Sequence, residues 1–141
     1  MAEILLDSGL LLAHICRGRT PETRASHRRA DAAIRAALGA GGRFVTTNLV
    51  VAETHQLLLI RDTRATGLAF LRQFPDLGAE VIASSRELEA RAIGDWIERY
   101  HDDDFSLCDA VSFVVMKERG IRRALTFDRH FAAAGFEMLP A

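Results

Sequence analysis

Cysteine is scarce in this chain of 141 residues: Cys16 and Cys108 are the whole complement. Two thiols are too few for a disulfide framework, and their separation matches no zinc or redox motif, so a reducing setting is expected and thiol catalysis is not. Long apolar runs are also missing. The two best candidates, residues 4–15 and 49–60, are broken by Asp7, Ser8 and His14 in the first and by Glu53, Thr54, His55 and Gln56 in the second. Neither can span a bilayer. The opening Met-Ala-Glu carries no basic segment ahead of the first apolar run, which argues against a secretory leader and for a cytoplasmic protein with no membrane partner. Only 3 prolines are present, and no repeat, linker or low-complexity stretch interrupts the chain. Disorder, collagen and repeat arrays are thereby excluded. What remains, 49% hydrophobic and 26% charged residues, fits one globular domain over residues 1–141, long enough to bury a core without disulfide or zinc staples.

Several common catalytic signatures are absent too. No serine sits in a nucleophile elbow, and the glycine run at 39–42 precedes a strand rather than opening a helix, so it is no phosphate loop. No histidine pairs with Cys or Glu at metal-ligand spacing, and His14 and His55 lie in apolar helical segments where they read as core or edge residues. Lysine is nearly missing: 17 of the 18 cations are arginine. Net charge is −1, yet residues 1–72 carry +4 and residues 73–141 carry −5. Arg17, Arg19, Arg24, Arg28, Arg29 and Arg35 crowd one segment that holds only Glu22 and Asp31 as acids. A phosphate-rich or acidic partner fits such a segment, and a solvated helix face is its structural alternative.

The elements alternate. Residues 3–6 read as a short buried strand stopped at Asp7-Ser8-Gly9, with a helix beginning near Ser8. A second helix is expected over about 24–38, ended by the glycine run, and a strand over 43–46. Thr47 or Asn48 caps a helix through Glu53 to about Ile60, whose apolar content implies burial. Helix is expected again over 64–74 up to Pro75, then a strand over 80–83 and a helix from Ser84-Ser85 to about Tyr100. An acidic loop at 102–104 leads to a helix opened by Ser106 and ended by Gly120. A strand over 123–125, a loop or short turn over 126–131 and a last strand over 136–139 complete the chain. Strands alternating with helices predict an α/β fold with a mostly parallel sheet, helices on both faces and the site at the strands' C-terminal ends.

Four acids occupy unusual places in this scheme: Asp7 closes the first strand, Glu53 lies inside an apolar helix, Asp109 begins another, and Asp128 follows a late strand. Each of three has a structural alternative: Asp7 as a helix cap, Asp109 as the third-residue partner of Ser106 in a capping box, Asp128 as a turn former. Glu53 is harder to explain that way, because a lone Glu among Leu49, Val50, Val51, Ala52, Leu57, Leu58, Leu59 and Ile60 needs a partner. If the four converge, like-charge repulsion requires protons, cationic partners or a metal. A hard divalent cation such as Mg²⁺ is the natural resolution, and near a phosphodiester it can activate water and stabilise the leaving oxygen.

Taken together, Ile4-Leu5-Leu6-Asp7-Ser8, Val51-Ala52-Glu53-Thr54, Ser106-Leu107-Cys108-Asp109-Ala110 and Leu125-Thr126-Phe127-Asp128-Arg129-His130-Phe131 followed by Gly135-Phe136 resemble the PIN-domain ribonucleases, most closely the bacterial VapC-type toxins. The resemblance covers nearly the whole chain in order and spacing. It implies an α/β/α sandwich, a Mg²⁺- or Mn²⁺-dependent endoribonuclease activity, a cognate VapB-like antitoxin and a homodimer. By the same resemblance Asp7 and Asp109 match the principal metal ligands and Glu53 and Asp128 the other two acidic positions. Asp102 matches an acidic position of lower rank. Ser8, Asn48 and Cys108 depart mildly from the residues frequent at their places.

The expected chemistry is in-line attack of a metal-activated water on an RNA phosphodiester, leaving 5′-phosphate and 3′-hydroxyl ends. Ser8, Asn48, Ser106 and Thr126 are candidates to hold the carboxylates by hydrogen bonds. Arg17, Arg19, Arg24 and Arg28 are candidates to contact RNA phosphates or a protein partner. In related toxins the antitoxin lays a peptide across the site, sometimes with an arginine among the acids. Two competing readings are a non-catalytic PIN module that binds RNA or protein, and a phosphatase with Asp7 as nucleophile. The second lacks an Asp two residues after Asp7.

Overall fold

The computed structural model describes residues 2–141. Its strands are β1 (Glu3–Leu6), β2 (Arg43–Thr47), β3 (Glu80–Ile82), β4 (Arg123–Leu125) and β5 (Glu137–Leu139). All pair in parallel, in the order β3-β2-β1-β4-β5. The helices are α1 (Ser8–Ile15), α2 (Pro21–Gly39), α3 (Asn48–Arg61), α4 (Arg64–Gln73), α5 (Arg86–Ala92), α6 (Leu107–Arg119) and α7 (His130–Ala133). None of the described helices is long and apolar enough to cross a membrane.

The central strand dictates the layers. A strand buried on both faces is apolar at successive positions, and Ile4-Leu5-Leu6 is such a run. Ile4 and Leu6 turn to one side, where they join Phe44, Leu10, Leu11, Ala30 and Ile34 from α1 and α2. Leu5 turns to the other with Val45 and Ala124, against Ala92 of α5 and Val111, Phe113 and Val114 of α6. A smaller cluster of Leu12, Leu58, Phe70 and Phe74 ties α1, α3 and α4 together. The expected α/β/α sandwich is therefore present, with a sheet that is parallel throughout.

Several elements differ from the sequence reading. α2 starts at Pro21 rather than near residue 24, because Thr20 accepts the Thr23 N–H in a capping box and Pro21 presets the first turn. α3 is less buried than its composition implies. Only Val50, Thr54 and Leu58 are buried, while Leu59 and Ile60 are 44% and 71% exposed, since α1 and α4 cover only part of its surface. The helix expected to reach Tyr100 ends as α5 at Ala92 and continues as a wide π-turn over Ile93–Glu98. That turn carries Trp96 into the core. The loop or short turn expected over 126–131 runs on into the one-turn helix α7 at His130, where the Asp128 Oδ1 accepts the His130 N–H at 2.9 Å. Gly120 ends α6 as expected, in the left-handed conformation (φ 67°) that a residue without Cβ adopts freely.

Two different forces hold α6. At its middle, fully buried Phe113 meets Trp96, Phe105, Phe131 and Phe136 with ring centroids 5.0–5.6 Å apart. At its end, Arg119 donates to Glu80 through Nη1 at 2.8 Å and to Glu3 through Nη2 at 2.6 Å, binding the helix to the starts of β1 and β3. Phe113→Ala is expected to cost about 3–5 kcal/mol in urea unfolding, because the cavity is walled by rigid rings. Arg119→Ala should cost much less, by an amount that shrinks with added salt. Equal losses for the two variants would contradict this ranking.

Candidate active site

The sheet's order of growth reverses between β1 and β4: the chain runs outward through β2 and β3, then returns to lay β4 beside β1. A crevice at the C-terminal ends of the strands is expected at such a reversal. Here Leu6 pairs with Leu125, and the Asp7 N–H donates to the Leu125 carbonyl at 3.0 Å. Asp7 and Thr126 therefore leave the sheet together, both buried, and Thr126 Oγ1 donates to Asp7 Oδ2 at 2.7 Å. Asp7 stands at the cap position of α1, yet its side chain makes no capping hydrogen bond. Capping does not account for its carboxylate.

Thr126 has a second role. Its Oγ1 accepts the Asp128 N–H at 2.9 Å, fixing the turn that presents Asp128. Asp128 in turn accepts the His130 N–H, so its expected turn-forming role is real, and its side chain also lies 3.5 Å from His130 Nδ1. From the opposite side Ser106 caps α6 by accepting the Asp109 N–H at 3.0 Å, which sets Asp109 on the first helical turn. The return bond of a capping box is not formed, and Asp109 Oδ2 lies 3.4 Å from His130 Nδ1. Among the described residues, Asp109, Asp128 and His130 offer one ligand atom each, all within 4.8 Å of one another.

Burial is the main influence on these carboxyls. It pushes Asp7 up to about 7, aided by the charges of Asp109 and Asp128 and opposed by the Thr126 hydroxyl and the Ser8 backbone. Asp109 is raised to about 6, again first by burial and then by Asp128, with His130 and Ser106 opposing. Carboxyls gathered where desolvation resists their charge, beside an imidazole, form a donor set that fits a divalent cation.

The remaining candidates divide. Glu53 is half-buried on α3 and acts on this group: its charge raises Asp109, and it hydrogen-bonds Cys108, whose thiol burial and Glu53 together push far up. The reactive thiolate is thereby suppressed, as expected from the sequence. Ser8 is buried and reaches Asp7 through its backbone. Asn48 lies away from the carboxylates in its bonding: its Oδ1 accepts the Ser84 N–H at 2.8 Å and pins the loop after β3. Asp102 is not gathered in, with a side chain 93% exposed and paired to His101. Arg17, Arg19, Arg24 and Arg28 are all exposed, and Arg24 is tied to the Arg19 carbonyl at 3.0 Å. Arg29, also exposed, sets its guanidinium 5.2 Å from the ring centre of Phe127, the residue between Thr126 and Asp128 in sequence.

His130 is the site residue that sequence reasoning missed. Its signal was local: it stands two residues after Asp128, close enough for one short turn to bring both side chains together.

Carboxylates converging at the reversal point of a parallel sheet mark an α/β protein with a donor set suited to a cation in the crevice where such folds bind ligands. Residues 4–137 match the PIN domain family profile, and the chain belongs to that family, a family of nucleases. It is 35% identical over 94 residues to the 23S rRNA-specific endonuclease VapC20 of Mycobacterium tuberculosis, an alignment covering 65% of this chain and 70% of that protein. The crystal structure of Mycobacterium tuberculosis VapC20, described as a sarcin–ricin loop cleaving toxin, superposes with TM-score 0.79 at 30% identity, over 94% of this chain and 95% of that one. FitAcB from Neisseria gonorrhoeae shares the fold at TM-score 0.64 and 14% identity, over 96% of this chain and 95% of its own.

The raised carboxyls predict a pH profile. Between the ordinary aspartate range near pH 4 and about 7, the folded protein holds on Asp7 a proton that the unfolded chain has released, so stability falls as pH rises through this window. Asp109 adds a loss of the same sign up to about 6. In EDTA the melting temperature should therefore be lower at pH 8 than at pH 5, and a saturating divalent cation should restore it. Asp7→Asn should flatten the profile; an unchanged slope in that variant would show that Asp7 is not its source.

Proposed function

We propose that this chain is a divalent-cation-dependent endoribonuclease of the VapC type, acting as a single domain on structured ribosomal RNA, with Asp7, Glu53, Asp109 and Asp128 as its acidic quartet. The observation that carries the reading is the convergence of Asp7, Asp109 and Asp128 at the β1–β4 reversal, with Asp7 and Asp109 raised by burial. A bound Mg²⁺ or Mn²⁺ supplies positive charge for the phosphoryl oxygens and makes water acidic enough to attack near neutral pH. Asp7 and Asp109 would hold it, with Asp128 as a further carboxylate within reach and Glu53 completing the acidic surround. Thr126 keeps Asp7 in one orientation, and Ser106 does the same for the backbone of Asp109. Attack opposite the 3′-oxygen forms the new phosphorus–oxygen bond as the old one breaks. The proton ends on the 3′-oxygen, leaving 3′-hydroxyl and 5′-phosphate termini.

The ribosomal substrate is supported by the structural likeness to VapC20 over 94% of the chain and by 35% identity to it over 94 residues. The exposed Arg24 and Arg28 of α2, beside the Arg29 that stacks on Phe127, are suited to meet the backbone of a folded RNA. The VapC likeness also supports a VapB-like antitoxin, and the resemblance supports a homodimer. Leu59, Ile60, Leu68 and Leu71 on α3 and α4 are 40–71% exposed, an apolar surface suited to cover by protein.

The test is cleavage of a structured RNA pool and of a sarcin–ricin-loop RNA with Mg²⁺, Mn²⁺ or EDTA. Cutting should need the cation and fall at least about 100-fold in both Asp7→Asn and Asp109→Asn. Variants that cut as well as the wild type would expose a contaminant. Persistent RNA binding with no cutting in any metal would favour the non-catalytic module. Arg28→Ala should lower the slope of log affinity against log salt by about 1 if Arg28 meets a phosphate.

A further inference from the structure

We propose that His130 gives an imidazole nitrogen to the same cation as Asp109 and Asp128, so that the site takes Mn²⁺ and the later first-row metals in preference to Mg²⁺. The inference rests on the cation-dependent reading above and adds one ligand and its consequence for metal choice. Three observations carry it.

The first is distance. His130 Nδ1 lies 3.4 Å from Asp109 Oδ2 and 3.5 Å from Asp128 Oδ1. Both separations are long for an N–H···O bond, which has its optimum near 2.9 Å. A closure of about 0.5 Å brings the three groups to the spacing of about 3 Å between neighbouring ligands on one octahedral ion with bonds of about 2.1 Å. The second is completeness. Among the described residues this trio is the group of three or more donors whose ligand atoms all lie within 4.8 Å of one another. The third is rigidity. The His130 ring stands edge-on to Phe105, with centroids 5.4 Å apart and planes at 84°. Phe105 is itself held by Trp96 and Phe113 in the core. The His130 backbone is fixed by one lone pair of Asp128 Oδ1, which leaves that oxygen's second lone pair and the other carboxylate oxygen for an ion. The imidazole, 35% exposed, is thus steadied on one edge by packing.

A nitrogen donor changes selectivity. Mg²⁺ prefers oxygen ligands and retains its waters, whereas affinity for imidazole rises from Mn²⁺ along the first row. The rival role for His130 is that of a protein counter-cation between the two aspartates, which an incoming metal would have to displace. The two roles differ in sign. Removing a ligand weakens metal binding, while removing a competing cation strengthens it for every metal.

Pulsed EPR of Mn²⁺ on the wild type, His130→Gln and His130→Asn, with Mg²⁺ competition, separates them. Nitrogen hyperfine modulation from a coordinated imidazole is expected in the wild type and should vanish in both variants. Mn²⁺ affinity should fall about tenfold or more, with Mg²⁺ affinity changed less than about threefold. Wild-type Mn²⁺ without nitrogen modulation, or variants that bind Mn²⁺ as tightly as the wild type or tighter, would overturn the proposal. If both variants fail to fold, the wild-type spectrum alone decides it, because His130 is the histidine of this group. Folded wild type that binds neither ion would instead overturn the cation-dependent reading itself.

Discussion

Repulsion among carboxylates at the end of β1 is the constraint around which this molecule is organised. Asp7 cannot move away from its neighbours, because its N–H is committed to the Leu125 carbonyl and its side chain emerges where two strands and the start of α1 close over it. Water is excluded there, so charge on Asp7 is opposed first by burial and then by Asp109 and Asp128. The Thr126 hydroxyl and the Ser8 backbone offset part of that cost and leave the rest in place. A carboxyl kept at this cost is a site where a cation binds with a larger gain than it would on the surface, because it relieves a strain the fold already carries.

Such strain persists only if the frame cannot relax. Two cores on opposite faces of the sheet provide that frame, with Ile4 and Leu6 on one side and Leu5 on the other locking β1 in register. The aromatic cluster around Phe113 does more than stabilise. Through Phe105 it touches the His130 ring, and through Phe131 it anchors α7, so the core and the site share one rigid body. Packing interactions thereby become positional accuracy for the groups that meet the cation.

Legibility in the sequence followed the same physics. The layer order was readable because strands of apolar residues alternate with capped helices, and Ser106, Gly120 and Thr47 act locally as their types predict. Asp7, Asp109 and Asp128 were readable because each sits at an element boundary, where an acid reaches the edge of a sheet. Tertiary placement was not readable. Asn48 looks like a site residue at the end of β2, yet its carbonyl answers Ser84, thirty-six positions away. α3 looks buried from its leucines, but burial is decided by which neighbours arrive, and α1 and α4 leave Leu59 and Ile60 uncovered. His130 escaped because a lone histidine near an aspartate is uninformative until a helical turn and a phenylalanine aim it.

The charge asymmetry acquires its meaning from this geometry. An acidic crevice repels the phosphate it has to cut, so substrate can enter only when positive charge is supplied from two sources. One is the cation, which neutralises the carboxylates at the point of attack. The other, on the function proposed above, is the arginine-rich α2, whose Arg29 lies over Phe127 and whose Arg24 and Arg28 face solvent. Arginine serves here better than lysine, since a weakly hydrated planar group can stack on an aromatic ring and still present N–H donors to phosphate. The same field also makes the crevice attractive to a guanidinium from outside whenever the cation is absent. Metal and arginine thus compete for one set of oxygens, and a protein partner carrying an arginine would occupy the site most readily in its metal-free form.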